Sequence, residues 1–265
     1  MADLRLFDEV SPVIEDICGV PRTWGIKGLL SKEECQLFLQ NVVHDEELDT
    51  SAYKRADEVE IFPKRISYRY KADLDNLSLQ FFDRIKTLLP NPLVFNQEDS
   101  ELGSFLEGSW KLWGVNERIS FLKYLPGGQF TKHKDGIYFK NEDLRSMITI
   151  LIYLNDDYEG GRTVLYNDEE TVRVAFEPKA GDACAMMQNV IHEGGVVESG
   201  EKHAIRLDII YERDAPYDPQ KFDNNQLAMQ YLKIAQDLER AHQATESVKY
   251  YQRAFRLNPH LEWML

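Results

Sequence analysis

The chain has 265 residues, a formal net charge of −14 and 43% hydrophobic residues, which is enough apolar material for a sizeable core. So acidic a chain is not expected to bind nucleic acid or anionic membranes, because such binding needs clustered Lys and Arg. We find no apolar run of about 18 residues or more, so no transmembrane helix is expected. The N-terminus lacks an apolar signal core, and the three cysteines are scattered. These features predict a cytoplasmic or nuclear protein.

Residues 1–115 are predicted to form an N-terminal support of helices and strands. Ser31 and Glu34 stand at the spacing of a capping box, just before apolar residues at helical spacing. Alternating residues over 66–70 predict a half-buried strand, and the spacing over 74–88 predicts a second helix. The polar stretch 96–109 is expected to be a loop.

Residues 116–215 contain one short β-rich run after another, and turn-prone residues separate these runs. Many short strands at such spacing predict a sheet pair, either a sandwich or a barrel. With the helices that precede it, the predicted fold class is α+β.

Residues 221–265 are predicted to form a helical hairpin, since two apolar stripes recur there at helical spacing. The pattern resembles one tetratricopeptide repeat, although about three repeats are needed for a stable solenoid. A protein partner bound through this hairpin is a hypothesis.

His133 and Asp135 lie two positions apart in the stretch GGQFTKHKDG, residues 127–136. On a strand, residues i and i+2 point to the same face, so the imidazole and the carboxylate can be directed at one point. This pair supplies two of the three protein ligands that a metal site of this kind needs. Since the pattern is common by chance, a surface turn is the alternative interpretation.

His192 is the third candidate ligand, because it also follows a strand and precedes paired glycines. Two histidines and one carboxylate make up the facial triad of non-haem Fe(II) oxygenases, which leaves coordination positions open. A bidentate 2-oxo acid can occupy two of these positions, and O2 the last.

The stretch GEKHAIRLDIIY, residues 200–211, predicts a strand with Lys202, Arg206 and Asp208 on one face. The other face is apolar and is expected to pack on the core. Two cations inside a packed sandwich require an anionic partner, and a dicarboxylate co-substrate supplies one. The alternatives are a solvated strand end for Lys202 and an ion pair with Asp208 for Arg206.

Three blocks, residues 121–136, 146–165 and 178–211, resemble the Fe(II)/2-oxoglutarate dioxygenases of the prolyl 4-hydroxylase type. The resemblance runs from about 116 to 211 and implies a double-stranded β-helix, or jelly roll. It places the iron ligands at His133, Asp135 and His192. It also places the basic anchor for 2-oxoglutarate at Lys202, ten positions after the second histidine.

The same resemblance implies roles for further residues. Tyr153 matches a position whose hydroxyl often binds the anchored carboxylate of 2-oxoglutarate, and Tyr124 matches another tyrosine of that pocket. Arg206 departs from the smaller polar residue that is common there, so it either shares the anchoring or binds the other carboxylate. Arg145 and Tyr138 fall where the family places substrate contacts, and a solvated loop is the alternative for both.

The resemblance implies a hydroxylase that uses Fe(II), 2-oxoglutarate and O2, with succinate and CO2 as co-products and ascorbate as a supporting reductant. We predict that the substrate is a prolyl residue of a cytosolic or nuclear protein or peptide. The alternatives are a small molecule or another protein side chain. A binding protein without turnover is a further alternative, against which the intact triad and anchor argue.

Overall fold

The structure is a computed structural model that describes residues 4–42, 65–96, 106–167, 169–216, 218, 224–241, 243–258 and 261. The described residues fall into two compact units, one within 1–91 and 112–212 and the other within 92–111 and 213–265. The strand pairings are antiparallel throughout the described part. No described helix is long and apolar enough to cross a membrane.

The larger sheet of the first unit provides most of the core. Its central strands follow the order β1-β2-β14-β10-β17, β7 pairs with the start of β17, β4 pairs with β7, and β9 pairs with the start of β10. These strands, numbered along the chain, are β1 (Val13–Asp16), β2 (Thr23–Lys27), β4 (Tyr68–Asp73), β7 (Arg118–Tyr124), β9 (Phe139–Asn141), β10 (Leu144–Tyr153), β14 (Ala183–Met187) and β17 (Lys202–Arg213).

The smaller sheet holds the two histidines of the predicted triad, and its strand order is β13-β12-β15-β8-β3. A separate two-stranded ribbon pairs β11 with β16. These strands are β3 (Arg65–Ile66), β8 (Gln129–His133), β11 (Glu159–Gly160), β12 (Thr163–Tyr166), β13 (Arg173–Phe176), β15 (His192–Gly194) and β16 (Val197–Ser199). Two antiparallel sheets with this crossing order form the predicted double-stranded β-helix, so the fold class is confirmed.

Two N-terminal helices belong to the first unit, α1 (Lys32–Val42) and α2 (Asp75–Ile85). The predicted capping box is present: the Glu34 N–H donates to Ser31 Oγ at 3.0 Å, and the Ser31 N–H donates to Glu34 Oε2 at 3.0 Å. The Glu34 carboxylate also accepts from the Arg84 guanidinium at 2.7 and 3.0 Å. One fully buried carboxylate therefore caps α1 and joins it to α2.

The predicted strand over 66–70 is divided at Ser67 between the two sheets. Arg65 and Ile66 pair with β8 of the smaller sheet, whereas Tyr68–Asp73 pairs with β7 of the larger one. All residues over 65–70 are half-buried, so the alternation alone gave no sign of this division. The chain thus passes from one sheet to the other within a single residue.

The predicted loop over 96–109 differs from the structure at its end. Residues 97–105 lie outside the described residues, and β6 (Gly108–Val115) already begins at Gly108. Gly108 and Ser109 pair with β5 (Leu93–Phe95), so they form part of a strand. Their small, polar side chains hid this pairing from the sequence pattern.

The second unit contains the predicted helical hairpin, α3 (Asn224–Arg240) and α4 (Ala244–Leu257). The helices pack through small residues such as Ala235 and Ala254, which are fully buried. The hydroxyl of Ser247 donates to the Ala235 carbonyl at 2.8 Å and is satisfied inside the pair. Within the same unit, the Arg213 guanidinium lies 4.1 Å above the Trp110 ring.

Candidate metal centre

His133 and His192 lie directly opposite each other on neighbouring strands. They are cross-strand partners in the antiparallel pairing of β8 with β15. Side chains of directly opposite residues project to the same face of a sheet. Their ring centroids are therefore only 4.2 Å apart.

Both imidazoles present the same nitrogen to the cluster. His133 Nδ1 lies 2.7 Å from the Thr131 carbonyl oxygen, and His192 Nδ1 lies 3.1 Å from that of Val190. A carbonyl oxygen only accepts, so Nδ1 carries the proton and Nε2 keeps its lone pair. Burial, together with the neighbouring His192, lowers the pKa of His133 to about 4. Neutral imidazole is the form that binds a metal.

Asp135 lies beyond the end of β8 rather than on it, which differs from the simple strand prediction. Its backbone N–H donates to the Gln188 carbonyl at 3.0 Å and fixes the turn. Its carboxylate oxygens lie 3.9 Å from His133 Nε2 and 3.8 Å from His192 Nε2. Burial alone raises the pKa of Asp135, but Arg206 and His192 outweigh that effect, and the pKa is lowered. The carboxylate is thus ionised at neutral pH.

The donor set fits a divalent ion. The three ligand atoms lie within 4.8 Å of one another, and within the described ranges this is the one such cluster. Asp135 Oδ2 is buried and has no hydrogen-bond partner among the described residues. An ionised oxygen in that position is costly unless a cation binds it. Two imidazole nitrogens and one carboxylate are the donors of the facial iron triad.

A buried polar network supports the Asp135 turn. Gln188 donates from Nε2 to Asp208 Oδ1 at 3.2 Å and accepts at Oε1 from the Ser146 hydroxyl at 2.8 Å. The Ser146 hydroxyl in turn accepts from the Tyr138 N–H at 2.7 Å. The residues on both sides of Asp135 are therefore tied to β10, β17 and the turn after β14.

Lys202 lies in a buried cage of tyrosines. It is 5% exposed, and its ammonium lies 5.3 to 6.0 Å from the ring centroids of Tyr124, Tyr153 and Tyr158. Within the described part of the chain, its one hydrogen bond goes to the Gly161 carbonyl at 2.5 Å. No carboxylate of the described residues forms an ion pair with it. Burial therefore lowers the pKa of Lys202 to about 8.

The two tyrosines of the prediction border this cage. The Tyr153 hydroxyl donates to Thr163 Oγ1 at 2.7 Å and is fully buried. The Tyr124 hydroxyl accepts from the Arg65 guanidinium at 3.4 Å. Tyr124 is also the cross-strand partner of Lys202, so the two side chains share one face. The structure thus brings Lys202, Tyr153 and Tyr124 together, and their role in binding 2-oxoglutarate stays a prediction.

Arg206 lies on the same face, but it has carboxylate partners. Its Nη2 lies 2.8 Å from Asp208 Oδ1 and 3.5 Å from Asp135 Oδ1. Burial lowers the pKa of Arg206, but the two carboxylates more than offset this and raise it. The ion pair with Asp208, which was the alternative interpretation, is present.

Arg145 and Tyr138 differ in burial and in their place in the sheet. Arg145 is buried within β10, opposite Tyr211, and its guanidinium lies 5.4 Å from the Phe139 ring. The solvated-loop alternative is therefore wrong for Arg145, because β9 and β10 form a hairpin immediately after Tyr138. Tyr138 is half-buried, and its backbone pairs with Ser146. Substrate contacts for both residues stay a prediction.

Sequence reasoning missed several residues of this region. Gln188 and Ser146 gave no signal beyond lying near His192 and at the start of a strand. Arg65 was visible only as the polar half of an alternation. Its guanidinium lies 4.6 Å above the Phe130 ring, which stacks on His133 with centroids 3.4 Å apart.

Comparison with known proteins agrees with this geometry. Residues 119–207 match the family model of the 2OG-Fe(II) oxygenase superfamily. This segment includes the three triad residues, Lys202 and Arg206. A search of curated proteins found no match.

Solved prolyl hydroxylase structures are among the similar ones. A Pseudomonas putida prolyl-4-hydroxylase is 17% identical, with a TM-score of 0.46, over 73% of this chain and 94% of that one. A viral collagen prolyl hydroxylase from Paramecium Bursaria Chlorella virus-1 is 20% identical, with a TM-score of 0.44, over 74% and 99%. A Trichoplax adhaerens prolyl hydroxylase, in complex with a hypoxia inducible factor peptide, is 17% identical, with a TM-score of 0.46, over 76% and 85%.

The matched segment and the triad agree in class: residues 119–207 match the 2OG-Fe(II) oxygenase superfamily. This match supports an Fe(II)- and 2-oxoglutarate-dependent dioxygenase, and His133, Asp135 and His192 are the residues whose chemistry suits the iron.

Proposed function

We propose that this dioxygenase hydroxylates a prolyl residue of a cytosolic or nuclear protein. The dioxygenase activity in this proposal rests on one observation. The chain combines a facial triad with a buried lysine that lacks a carboxylate partner among the described residues. Fe(II) with 2-oxoglutarate and O2 supplies the oxidising chemistry, which inserts one oxygen atom into a C–H bond and releases succinate and CO2.

The chain's own residues orient this chemistry. His133 and His192 offer Nε2 because their Nδ1 protons are held by backbone carbonyls. Asp135 offers an ionised carboxylate that the Arg206 guanidinium keeps deprotonated. These three groups would hold one divalent ion and would leave coordination positions for co-substrate and O2.

Lys202 is suited to hold the far carboxylate of 2-oxoglutarate. A buried cation without a counter-charge is costly, and an incoming carboxylate removes that cost. The Tyr124 hydroxyl accepts from Arg65 and keeps its own proton to donate to that carboxylate, whereas the Tyr153 hydroxyl can do so only by exchanging its bond to Thr163. Together they set the distance and direction of the co-substrate relative to the triad.

Two features support a prolyl residue in a protein as the target. The sequence blocks around His133, Tyr153 and His192 resemble the prolyl 4-hydroxylase branch. Next to the triad, Ile137 is 38% exposed, and Trp113 of the same unit is 45% exposed. Exposed apolar side chains suit contact with an extended proline-containing peptide, which needs few backbone donors. A cytosolic or nuclear setting agrees with three free cysteines, two of them buried.

The test uses a lysate from cells that lack this enzyme. The full chain is added with Fe(II), ascorbate and 2-oxoglutarate, and single-oxygen additions to proteins are mapped by fragmentation. We expect enzyme-dependent oxygen on proline that is lost with Asp135→Ala. Oxygen found only on lysine, asparagine or a metabolite would reject the prolyl proposal.

A further inference from the structure

Two cations near the metal centre have no role in the site described above. Arg65 and Lys71 belong to the segment that passes between the sheets at Ser67. Neither forms an ion pair with a carboxylate within the described ranges, although the chain has a formal net charge of −14. Lys27, by contrast, pairs with Glu15 at 2.7 Å.

Arg65 lies beside the triad and the co-substrate cage. Its Nε donates to Ser67 Oγ at 2.7 Å, and its Nη2 donates to the Tyr124 hydroxyl at 3.4 Å. Its guanidinium packs on Phe130, whose ring stacks on His133. The Phe130 ring therefore separates the Arg65 charge from His133. None of these neighbours carries a negative charge.

Lys71 lies in one cross-strand row with Arg206. Lys71 is paired with Ser120 of β7, and Ser120 is paired with Arg206 of β17. Directly opposite residues share a face, so Lys71 and Arg206 point to the same side of the sheet. Loss of solvation, with Arg69 and Arg206 nearby, lowers the pKa of Lys71 to about 8, against the opposing effect of Asp208. Asp208 is already paired with Arg206 at 2.8 Å, and Lys71 forms no ion pair of its own within the described ranges.

Cations that lack a carboxylate partner attract anionic ligands to the surface around them. We propose that Arg65 and Lys71 form a binding site for carboxylates of the protein substrate, so that the enzyme selects a target residue flanked by Asp or Glu. This proposal rests on the proposed function and names the substrate class of the same site.

The spacing favours an extended acidic segment over a small dicarboxylate. Arg65 belongs to a strand of the smaller sheet and Lys71 to a strand of the larger one, so the two cations do not form a single compact pocket. An extended peptide with acidic residues on either side of its target can contact both cations. Lys202 remains the cation of the co-substrate cage, because it alone of the three is deeply buried.

The experiment measures binding of two fluorescein-labelled peptides to the full chain with Fe(II) and 2-oxoglutarate in the absence of oxygen. One peptide has a central Pro-Ala flanked by four Glu on each side, and the other has Gln at those eight positions. We expect the Glu peptide to bind at least about tenfold more tightly at low salt. We also expect that advantage to fall as salt is raised.

The decisive variant is Lys71→Gln, since Gln keeps most of the side chain and removes its charge. We expect it to weaken binding of the Glu peptide about tenfold and to leave binding of the Gln peptide unchanged. Lys27→Gln, which removes the same charge from a distant strand, serves as the control. Arg65→Lys, which keeps the charge but loses the stacking on Phe130, should retain most of the preference.

Equal binding of the two peptides to the wild-type chain overturns the proposal without any variant. So does an unchanged preference in a folded Lys71→Gln chain. Turnover of 2-oxoglutarate is measured separately. A preference for the Glu peptide without turnover rejects the proposed function alone, whereas turnover without that preference rejects this inference alone.

Discussion

One guanidinium nitrogen of Arg206 lies 3.5 Å from Asp135, a predicted iron ligand, and 2.8 Å from Asp208. Arg206 therefore neutralises two neighbouring carboxylates and holds one of them toward the metal site. Residues that orient a metal ligand affect metal affinity, often by 10–100-fold on replacement. Arg206 is thus a positioning residue for Asp135.

We expect Arg206→Gln to lower the affinity for Fe(II) or Co(II) by about 10–100-fold and to raise the KM for 2-oxoglutarate only modestly. The physical reason is that two carboxylates are left close together without their cation. Metal titration monitored by calorimetry measures the first quantity. Asp208→Asn, which keeps the contact between Arg206 and Asp135, is the control. A larger effect on KM than that of Lys202→Met would contradict this assignment.

Replacement of Asp135 by Ala should abolish stoichiometric metal binding and all turnover of 2-oxoglutarate. It removes the only charged ligand of the triad, whose Oδ2 has no other partner among the described residues. Metal content is measured after dialysis by elemental analysis. His203→Gln is the matched control, since that ring faces Glu201 at 3.3 Å and lies outside the cluster. Full iron occupancy in Asp135→Ala chains would disprove the ligand set.

The lowered pKa of Lys202 predicts that binding of 2-oxoglutarate depends on pH. Its folded-state pKa of about 8 lies below the ordinary value of 10.5, so the ammonium that binds a carboxylate is lost as pH rises above about 8. We expect the Kd for 2-oxoglutarate to rise up to about tenfold per pH unit there. Lys202→Arg keeps its charge and should remove this dependence, which separates Lys202 from Lys71.

Lys202 should also affect folding stability: raising the pH weakens co-substrate binding but stabilises the fold. Between about pH 8 and 10.5, the unfolded chain binds more protons than the folded one, so the free energy of unfolding rises with pH in that window. We therefore expect Lys202→Met to raise the melting temperature at pH 7 without 2-oxoglutarate, while it raises the KM about 100-fold or more. A lower melting temperature would show that the tyrosine cage stabilises the cation.

We expect Gly161 to tolerate no larger residue, because of its backbone angle and its close neighbours. Its φ is +61°, and an added Cβ would lie 2.9 Å from Val197 Cγ2 and 3.3 Å from Lys202 Cδ. We expect Gly161→Ala to lower stability by about 2 kcal/mol or more and to weaken 2-oxoglutarate binding by displacing Lys202. Gly28→Ala is the control: its φ is +65° with nothing within 4 Å, so it measures the backbone cost alone. Equal effects of the two changes would exclude a clash.

The sequence was sufficient to predict the sheet pair, the capped first helix and the triad. Each of these features depends on local spacing: alternation in strands, Ser31 three residues before Glu34, and two glycine-flanked histidines. Lys202 was predicted because a charged residue inside a strand is unusual enough to need an explanation.

Long-range contacts account for what could not be predicted. Arg206 could be assigned to a co-substrate or to Asp208, and only the turn that brings Asp135 within 3.5 Å decides the contact. Gln188 is one of many polar residues in the sequence, and its importance comes from three elements that meet around it. The division at Ser67 depends on which neighbours pair with each half, which alternation alone does not contain.

The direct opposition of His133 and His192 ties the metal site to strand register. A slip of one residue between β8 and β15 would turn one imidazole to the outer surface, because alternate side chains point to opposite faces. A divalent ion bound by both rings would therefore act as a cross-link between two strands far apart in the chain. Such a cross-link would favour one register of β8 against β15 over the others. It would also resist sliding of these two strands past each other.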